Sequence, residues 1–274
     1  MMTRFATLVA TTAALTVGAL EAPGQTPTPA KRLTVAEVKT RLAAATEKSP
    51  PDLSGVDMSG LDLSGVDFRR ASLTRARLAG AKLVKASLFT CDLTDAVLAD
   101  ADLRQANLDG TVLRRANLHG ANLEGASLFA TIVEKADLSG ANLTKTRIIG
   151  YLKNANLAGA TLRNANAGAD PGNQSMGVMR ATFVSADLSG ADLSGANLFK
   201  ADFSFANLSG AKLVGADLSN GDLVQTDFSK ADVTGANFAK ADINGAIFRG
   251  TIGRAQAKGL TQTRNRDKAI FDAQ

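Results

Sequence analysis

A five-residue period runs through most of this chain of 274 residues. Residues 185–198 read SADLSGADLSGANL, in which Ala, then Asp or Asn, then Leu recur with two small residues between units. When each unit is centred on its Leu or Phe, twenty centres run from Leu53 to Ile148, four from Leu152 to Ala167 and fourteen from Phe183 to Phe248. This repetition constrains the fold more than any other feature, because each unit must occupy an equivalent place in a regular array.

The period of five suits neither an α-helix nor a straight strand, because a helix has 3.6 residues per turn. Within one unit, the centre and the residue two positions before it share a side, as in a strand, and the Asp or Asn between them points outward. From Phe183 to Phe248 the inner partner is Ala in twelve of fourteen units, with Gly221 and Thr226 as the exceptions. The two remaining residues, often Ser-Gly, are typical of turns. The sequence therefore predicts short extended pieces, joined by turns, around a narrow apolar core.

This pattern of Ala, Asp or Asn, Leu and two variable residues resembles the pentapeptide-repeat family, over about 200 residues of the chain. The resemblance implies an all-β fold: a right-handed quadrilateral β-helix, or solenoid, with four units per coil. About 9.5 coils at a spacing of ~4.8 Å give a rod ~45 Å long. Residues twenty apart should then lie one above the other, so that Phe183 stacks with Phe203 and Phe228 with Phe248.

The first 22 residues have the layout of a secretory signal peptide. Arg4 supplies a positive charge, and an apolar segment rich in Ala and Thr follows from Phe5 to Leu20. That segment is shorter than the roughly 20 residues that span a bilayer, although an uncleaved membrane anchor is the alternative interpretation. We expect cleavage, no stable membrane insertion afterwards, and a periplasmic or secreted protein.

The residues on either side of the repeats predict a linker and two caps. Residues 23–32 are rich in Pro and predict an extended linker. Residues 33–49 predict a capping helix, in which Thr34 and Glu37 have the spacing of a capping box. The solenoid itself is expected over residues 50–250. We expect residues 251–274 to form a second cap with a short basic α-helix, which covers the last coil or pairs two copies of the chain.

The repeat is interrupted twice. The spacing falls to four at a register slip near residues 148–152, which contain the only Tyr, Tyr151. This slip is interpreted as a tolerated kink, or alternatively as a binding bend. A loop at residues 168–181 carries Met176 and Met179 and is interpreted as a packed loop rather than a recognition loop.

Large apolar residues also occupy outward positions in several units. They are Phe89, Phe129, Phe199 and Phe205, and the first two belong to one column with Asp109 between them. Either these are scattered surface side chains and subunit contacts, or they form a protein-binding strip. The candidate interaction surface consists of Phe89, Phe129, Phe199, Phe205, Met176, Met179 and Tyr151.

Charge and reactive residues argue against several classes of function. The net charge of +5 divides into +3 for residues 31–50, −1 for residues 51–250 and +3 for residues 251–274. A nucleic-acid partner is not expected, because such binders carry basic residues along the body. Cys91 occupies an inward position and cannot form a disulfide within the chain, and the only histidine, His119, is at an outward position. The sequence predicts no cofactor, no metal site and no catalytic residues.

The function expected from these features is that of an exported, non-enzymatic pentapeptide-repeat protein that serves as a protein-binding or scaffold surface. The partner is unknown, and a homodimer through the C-terminal cap is a further expectation. The alternative is a cytoplasmic, topoisomerase-interacting DNA mimic, a role that the family resemblance brings with it. That role requires a strongly acidic surface, which the nearly neutral repeat region does not provide.

Overall fold

The coils of the solenoid are joined by parallel β-bridges between residues one coil apart. The computed structural model describes residues 30–46, 48–68, 70–169 and 179–272. In the regular part a bridge links each outward residue to the one twenty positions later, and four bridges fall in each coil. The solenoid therefore has four faces. We number the faces from the first outward residue of each, and name a corner after the two faces that it joins: face 1 begins at Asp52, face 2 at Asp57, face 3 at Asp62 and face 4 at Asp67.

Each face and each corner is held by a repeated set of backbone hydrogen bonds. The N–H of Leu53 donates to the carbonyl of Ser72 at 2.8 Å, and the N–H of Ser72 donates to the carbonyl of Pro51 at 2.9 Å. At the following 4–1 corner, the N–H of Ala71 donates to the carbonyl of Phe68 at 2.9 Å and closes a turn. The third residue of that turn, Arg70, has φ 62°. A β-turn with positive φ at its third residue favours Gly, which explains the Ser-Gly spelling of many units.

The core is a stack of inward side chains along the rod axis. The Leu, Phe and Ala of the regular units are buried, and Cys91 is buried among them as predicted. Phe183 and Phe203 stack with ring centroids 4.6 Å apart, and Phe228 and Phe248 stack at 4.9 Å, which confirms the predicted columns. Each buried Leu contributes about 2 kcal/mol, but no single coil encloses a core. Stability therefore depends on neighbouring coils.

The N-terminal end is covered by helix α1, Val35–Ala43. Thr34 caps this helix, and the predicted capping box with Glu37 is present in both directions. Val38 and Leu42 are buried against the first coil, and so is Leu33, which precedes the helix. The helix thus places an apolar face on the first coil and polar residues outside.

The C-terminal end differs from the prediction, because residues 251–272 contain no α-helix. The chain forms one further coil, whose outward residues bridge the coil before it: Ile252 with Asp232, Lys258 with Asn237, Arg264 with Asp242 and Ile270 with Ile247. Its units have six residues, and three corners are 3₁₀ turns at Arg254–Gln256, Leu260–Gln262 and Arg266–Lys268. The chain returns to bridge the rod every six residues, which leaves no room for an α-helix.

The two interruptions of the repeat lie on the 4–1 corner. Strand β1, Ser127–Ile132, pairs in parallel with β2, Arg147–Tyr151, and the register shifts where Ala130 has no partner. This shift is the predicted slip. The second interruption separates Asn166 on face 4 from Thr182 on face 1 by sixteen residues instead of five. The predicted fold-back of this loop falls largely on residues 170–178, outside the described residues.

Candidate protein-binding surface

Three of the four outward phenylalanines lie on the 4–1 corner. Phe89, Phe129 and Phe199 each follow a buried Leu of face 4. Phe89 is 50% exposed, whereas Phe129 and Phe199 are partly buried. Asp109 lies between the first two in the column and accepts a hydrogen bond from the Phe129 N–H at 2.9 Å. The predicted column is therefore present, and a carboxylate divides it.

A second apolar column lies beside the first, on face 1. Val112 bridges Ile132, and Ile132 pairs with Tyr151, so that three apolar residues follow one another where Asp, Asn or Ser is usual. Tyr151 is 57% exposed, and the other two are partly buried. Sequence reasoning missed Val112 and Ile132, although their apolar character at outward positions was the available signal. We define the corner strip as Phe89, Val112, Phe129, Ile132 and Tyr151.

Strands β1 and β2 give the corner strip a continuous support. In both, the extended backbone runs around the 4–1 corner, where other coils have only isolated bridges. Ile149 pairs with Phe129 and is 2% exposed. At Gly150 a Cβ atom would lie 2.5 Å from the carbonyl oxygen of Thr131, closer than real Cβ contacts. The absence of a side chain at Gly150 therefore lets the two strands pack directly below Tyr151.

Cationic groups lie over the rings of this corner. The guanidinium of Arg147 is 4.2 Å from the centroid of the Phe129 ring, and the ammonium of Lys200 is 5.2 Å from that of Phe199. Such contacts attract the cation to the ring face and restrict the orientation of both side chains. The corner therefore presents aromatic and aliphatic side chains bordered by positive charge.

The other predicted site residues lie apart from the corner strip or outside the described residues. Phe205 is 56% exposed but lies on the 1–2 corner. Phe199 lies on the 4–1 corner, three coils beyond Phe129, and Met179 lies on the same corner, where the chain rejoins the rod. Met176 is outside the described residues. The structure thus brings together Phe89, Phe129 and Tyr151 from the predicted set.

A charged groove continues along the 4–1 corner in the C-terminal half of the rod. It has a volume of about 760 Å³, and its lining is mostly cationic: Arg180, Lys200, Asn220, Lys240, Gln262 and Arg264. The carboxylates of face 1 neutralise part of this charge. Asp222 pairs with Arg180 at 2.8 Å and with Arg264 at 3.5 Å. These ion pairs cross several coils and hold them in register.

Reactive side chains in the described part of the chain form no recognisable catalytic centre. His119 is exposed on an open corner, with its Nδ1 2.9 Å from the Ser139 hydroxyl. Burial raises the pKa of the Cys91 thiol to about 12, so the thiolate is not available at neutral pH. Among the described residues, no group of three His, Cys, Asp or Glu could hold a metal ion. The helices found there are also too short and too polar to cross a membrane.

Comparisons with solved structures return other repeat proteins. HetL, a pentapeptide repeat protein involved in heterocyst differentiation regulation from Nostoc sp. strain PCC 7120, is 30% identical, with 87% of this chain and 99% of HetL covered and a TM-score of 0.48. A trypsin-treated QnrB1, a plasmid-mediated fluoroquinolone resistance protein, is 17% identical over 81% of this chain and 89% of its own, with a TM-score of 0.37. A pentapeptide repeat protein from the Arabidopsis thaliana thylakoid lumen is 34% identical over 39% of this chain and 64% of its own, with a TM-score of 0.24.

A comparison of the sequence with family models agrees with these structures. No curated protein matches the chain. The model of pentapeptide repeats matches in eight copies, at residues 52–88, 91–128, 121–150, 179–213 and 211–250. These matches cover more than half of the chain and follow the coils described above. The chain belongs to the pentapeptide-repeat family.

Proposed function

We propose that this protein is an exported, non-enzymatic rod that binds a protein partner through the corner strip. The observation that carries the proposal is the clustering of five apolar side chains on one corner, over the only paired strands in the described part of the chain. Apolar residues that are scattered singly need no explanation, whereas these five are grouped on adjacent coils of one corner, with Phe89 and Tyr151 exposed and Asp109 between Phe89 and Phe129. Apolar side chains grouped at a surface are typical of an interaction site. Aromatic side chains on a rigid support are also the residues that dominate binding energy at protein interfaces.

Export is supported by the start of the sequence. Arg4 and the apolar segment from Phe5 to Leu20 have the layout of a signal peptide, followed by the Pro-rich residues 23–32. Cell fractionation and N-terminal sequencing of the mature protein test this part. We expect a chain in the periplasm or medium that begins after Ala19 or Ala22. A cytoplasmic protein that retains Met1 would contradict export.

The solved structures similar to this chain include a regulatory protein and a resistance protein. HetL, at 30% identity, is a protein of differentiation regulation. The likeness to QnrB1 is 17% and concerns the fold alone. A DNA-mimic role requires a run of unneutralised acidic groups, whereas Asp202 and Asp222 on face 1 both lie within 4 Å of Arg180. The charge distribution therefore argues against DNA mimicry at a topoisomerase and favours a protein partner that binds the apolar corner strip.

Site-specific photo-crosslinking in the intact host cell tests the corner strip. A benzophenone amino acid is placed at Phe89, at Tyr151 or, as a matched control with similar exposure, at Phe205. We expect one common adduct from the first two positions and none from the third. The adduct should disappear when Ile132→Asp is added, because a carboxylate in the strip opposes apolar contact. An adduct that forms equally from Phe205, or none from Phe89 and Tyr151, would contradict the proposal.

A further inference from the structure

The last coil leaves an open β edge at the C-terminal end of the rod. In the body, the N–H of each unit centre donates to the next coil, as Phe248 does to the carbonyl of Ile270 at 2.7 Å. The corresponding backbone groups of the last coil, for which no further coil follows, make no hydrogen bond within residues 179–272. They are the N–H groups of Gly253, Gly259, Asn265 and Phe271, and the carbonyls of Thr251, Ala257, Thr263 and Ala269. Such an edge is a template for pairing with another chain.

A depression with an apolar floor lies over this end. Its volume is about 480 Å³, and its lining includes the apolar Ala257, Leu260 and Phe271 and the charged Arg254, Arg266 and Asp272. The Phe271 ring stacks on Phe248, with centroids 5.2 Å apart, and the guanidinium of Arg266 lies 5.2 Å from the Phe271 centroid. The floor is thus preorganised, and the depression is large enough for one aliphatic or aromatic side chain.

The C-terminal end around the depression carries a net positive charge. Residues 251–274 carry five basic and two acidic side chains. Arg254 pairs with Asp272 at 3.2 Å, and Arg264 pairs with Asp222 on face 1. Lys258, Arg266 and Lys268 are exposed and form no ion pair with any carboxylate that the structure describes. The end therefore attracts negative charge, and two copies placed end to end would bring like charges together.

We propose that the C-terminal end binds an acidic, extended peptide segment of another protein. The backbone of the segment pairs with the open edge, one apolar side chain enters the depression, and carboxylates contact Lys258, Arg266 and Lys268. Main-chain pairing supplies affinity, while the pocket and the charges supply specificity. This site is separate from the corner strip, so the two proposals can fail independently.

The binding of probe peptides to the full mature chain tests the proposal. The first probe is a fluorescein-labelled nine-residue peptide with Asp and Glu flanking a central Leu, and two further probes replace its acids with Lys or its Leu with Ser. We expect only the acidic, Leu-containing probe to bind well, with affinity that falls as salt rises. Arg266→Glu with Lys268→Glu should weaken its binding at least about tenfold. Lys135→Glu with Lys145→Glu makes the same change of charge at exposed turn positions of the body and should leave binding unchanged.

Three outcomes would overturn this proposal. The first is no binding of the acidic probe at low salt by a chain whose circular dichroism and melting temperature are those of the folded rod. The second is an equal loss in the control pair, which would mean general attraction to a basic protein. The third is a concentration-dependent dimer by light scattering that Arg266→Glu with Lys268→Glu abolishes, which would assign this end to a second copy of the chain.

Discussion

The two ends of the solenoid cover the apolar cross-section of the terminal coil in different ways. At the N-terminal end, α1 places Val38 and Leu42 on the apolar cross-section of the first coil, and Arg32 adds a bridge to Asp57. At the C-terminal end, the repeat is continued by one coil of longer units, in which Gly253, Gly259, Asn265 and Phe271 follow the bridging residues. The first end is closed by a helix with a polar outer surface. The last coil of the second end buries few apolar side chains, and the backbone groups along its edge have no hydrogen-bond partner within the described ranges.

The two ends therefore differ in what stabilises them and in which backbone groups other chains can reach. Helix α1 covers the apolar cross-section with Val38 and Leu42, and Arg32 pairs with the face-2 edge of the first coil at Asp57. In the last coil, two of the four residues that follow the bridging residues are Gly, and Ala257, Leu260 and Phe271 form the apolar floor that remains over the end. The backbone groups along the edge of this coil face solvent. We therefore expect α1 mainly to stabilise the folded solenoid. We expect the last coil both to cover Phe238 and Phe248 and to offer a surface for partners.

Removal of the last coil should have the largest effect. Deletion of residues 251–274 would uncover the apolar cross-section that contains Val233, Phe238, Ile243 and Phe248. Exposed strands with an apolar core beside them associate, so we expect aggregation or an increase in mass, measured by light scattering. Deletion of residues 1–29 is the control, because it keeps α1 and the whole solenoid. A soluble monomer of unchanged melting temperature after the C-terminal deletion would show that the last coil is not a cap.

A charge beneath α1 should have the next largest effect. Val38→Asp places an uncompensated carboxylate where the side chain is 0% exposed, and such changes cost about 3–5 kcal/mol. Because each coil contacts only its neighbours, the loss should be concentrated in the first coils. Hydrogen exchange should show reduced protection at Asp57 and Leu63, and little change near Phe228. Lys39→Asp, at an exposed position of the same helix, is the control. Uniform loss of protection along the rod would contradict the local role of α1.

The repeat is short and local, and for that reason much of the fold could be predicted. The position of each Leu specifies its inner and outer neighbours, and the family resemblance supplies four units per coil. The stacks of Phe183 on Phe203 and of Phe228 on Phe248 follow directly. The capping box at Thr34 could also be predicted, because it depends on residues only three positions apart.

The last coil could not be predicted, because its spacing and its residue types change together. Ile252, Lys258, Arg264 and Ile270 are six apart and share no side-chain chemistry. What they share is a backbone bridge to the coil below, which leaves no trace in the sequence. Gly253 and Gly259 lie directly before the 3₁₀ turns at Arg254–Gln256 and Leu260–Gln262, in the left-handed region with φ 71° and 67°.

The corner strip was partly hidden for a different reason. Its members belong to separate units, and Ile132 and Tyr151 are nineteen residues apart rather than twenty. This coil is one residue shorter than the regular coils, and Ala130 is left without a partner opposite the slip. Ile132 and Tyr151 therefore still pair, although they are not twenty residues apart. Sequence reasoning found Phe89 and Phe129 in one column and Tyr151 as a separate departure. Val112 and Ile132 were missed; the bridge between them and the pairing of Ile132 with Tyr151 place them in a column beside Phe129.

The cap of α1 offers the finest comparison between the ends, and its effect should be the smallest. Thr34→Ala removes the hydroxyl that accepts from the Glu37 N–H at 3.3 Å, and loss of an N-cap costs about 1 kcal/mol. The same box makes the N-terminal end sensitive to acid. Hydrogen bonds from the Thr34 N–H and hydroxyl lower the pKa of Glu37 below its ordinary value. The carboxylate therefore stabilises the folded chain above the ordinary Glu pKa, and this contribution is lost as pH falls through the lowered value.

Hydrogen exchange measured between pH 3 and 7 on Thr34→Ala and on the unchanged chain would isolate this contribution, after correction for the intrinsic effect of pH on exchange. We expect the difference in protection at Val38 and Ala44 to be present at neutral pH and to shrink as Glu37 takes up its proton. Glu37→Gln should retain part of the box, because an amide oxygen still accepts from Thr34, and should remove the pH dependence. The C-terminal turns have no side-chain cap hydrogen bond, so protection of the last coil should not respond to either substitution. A matching response there would mean that the two ends are coupled through the rod, which stacking between nearest neighbours alone does not allow.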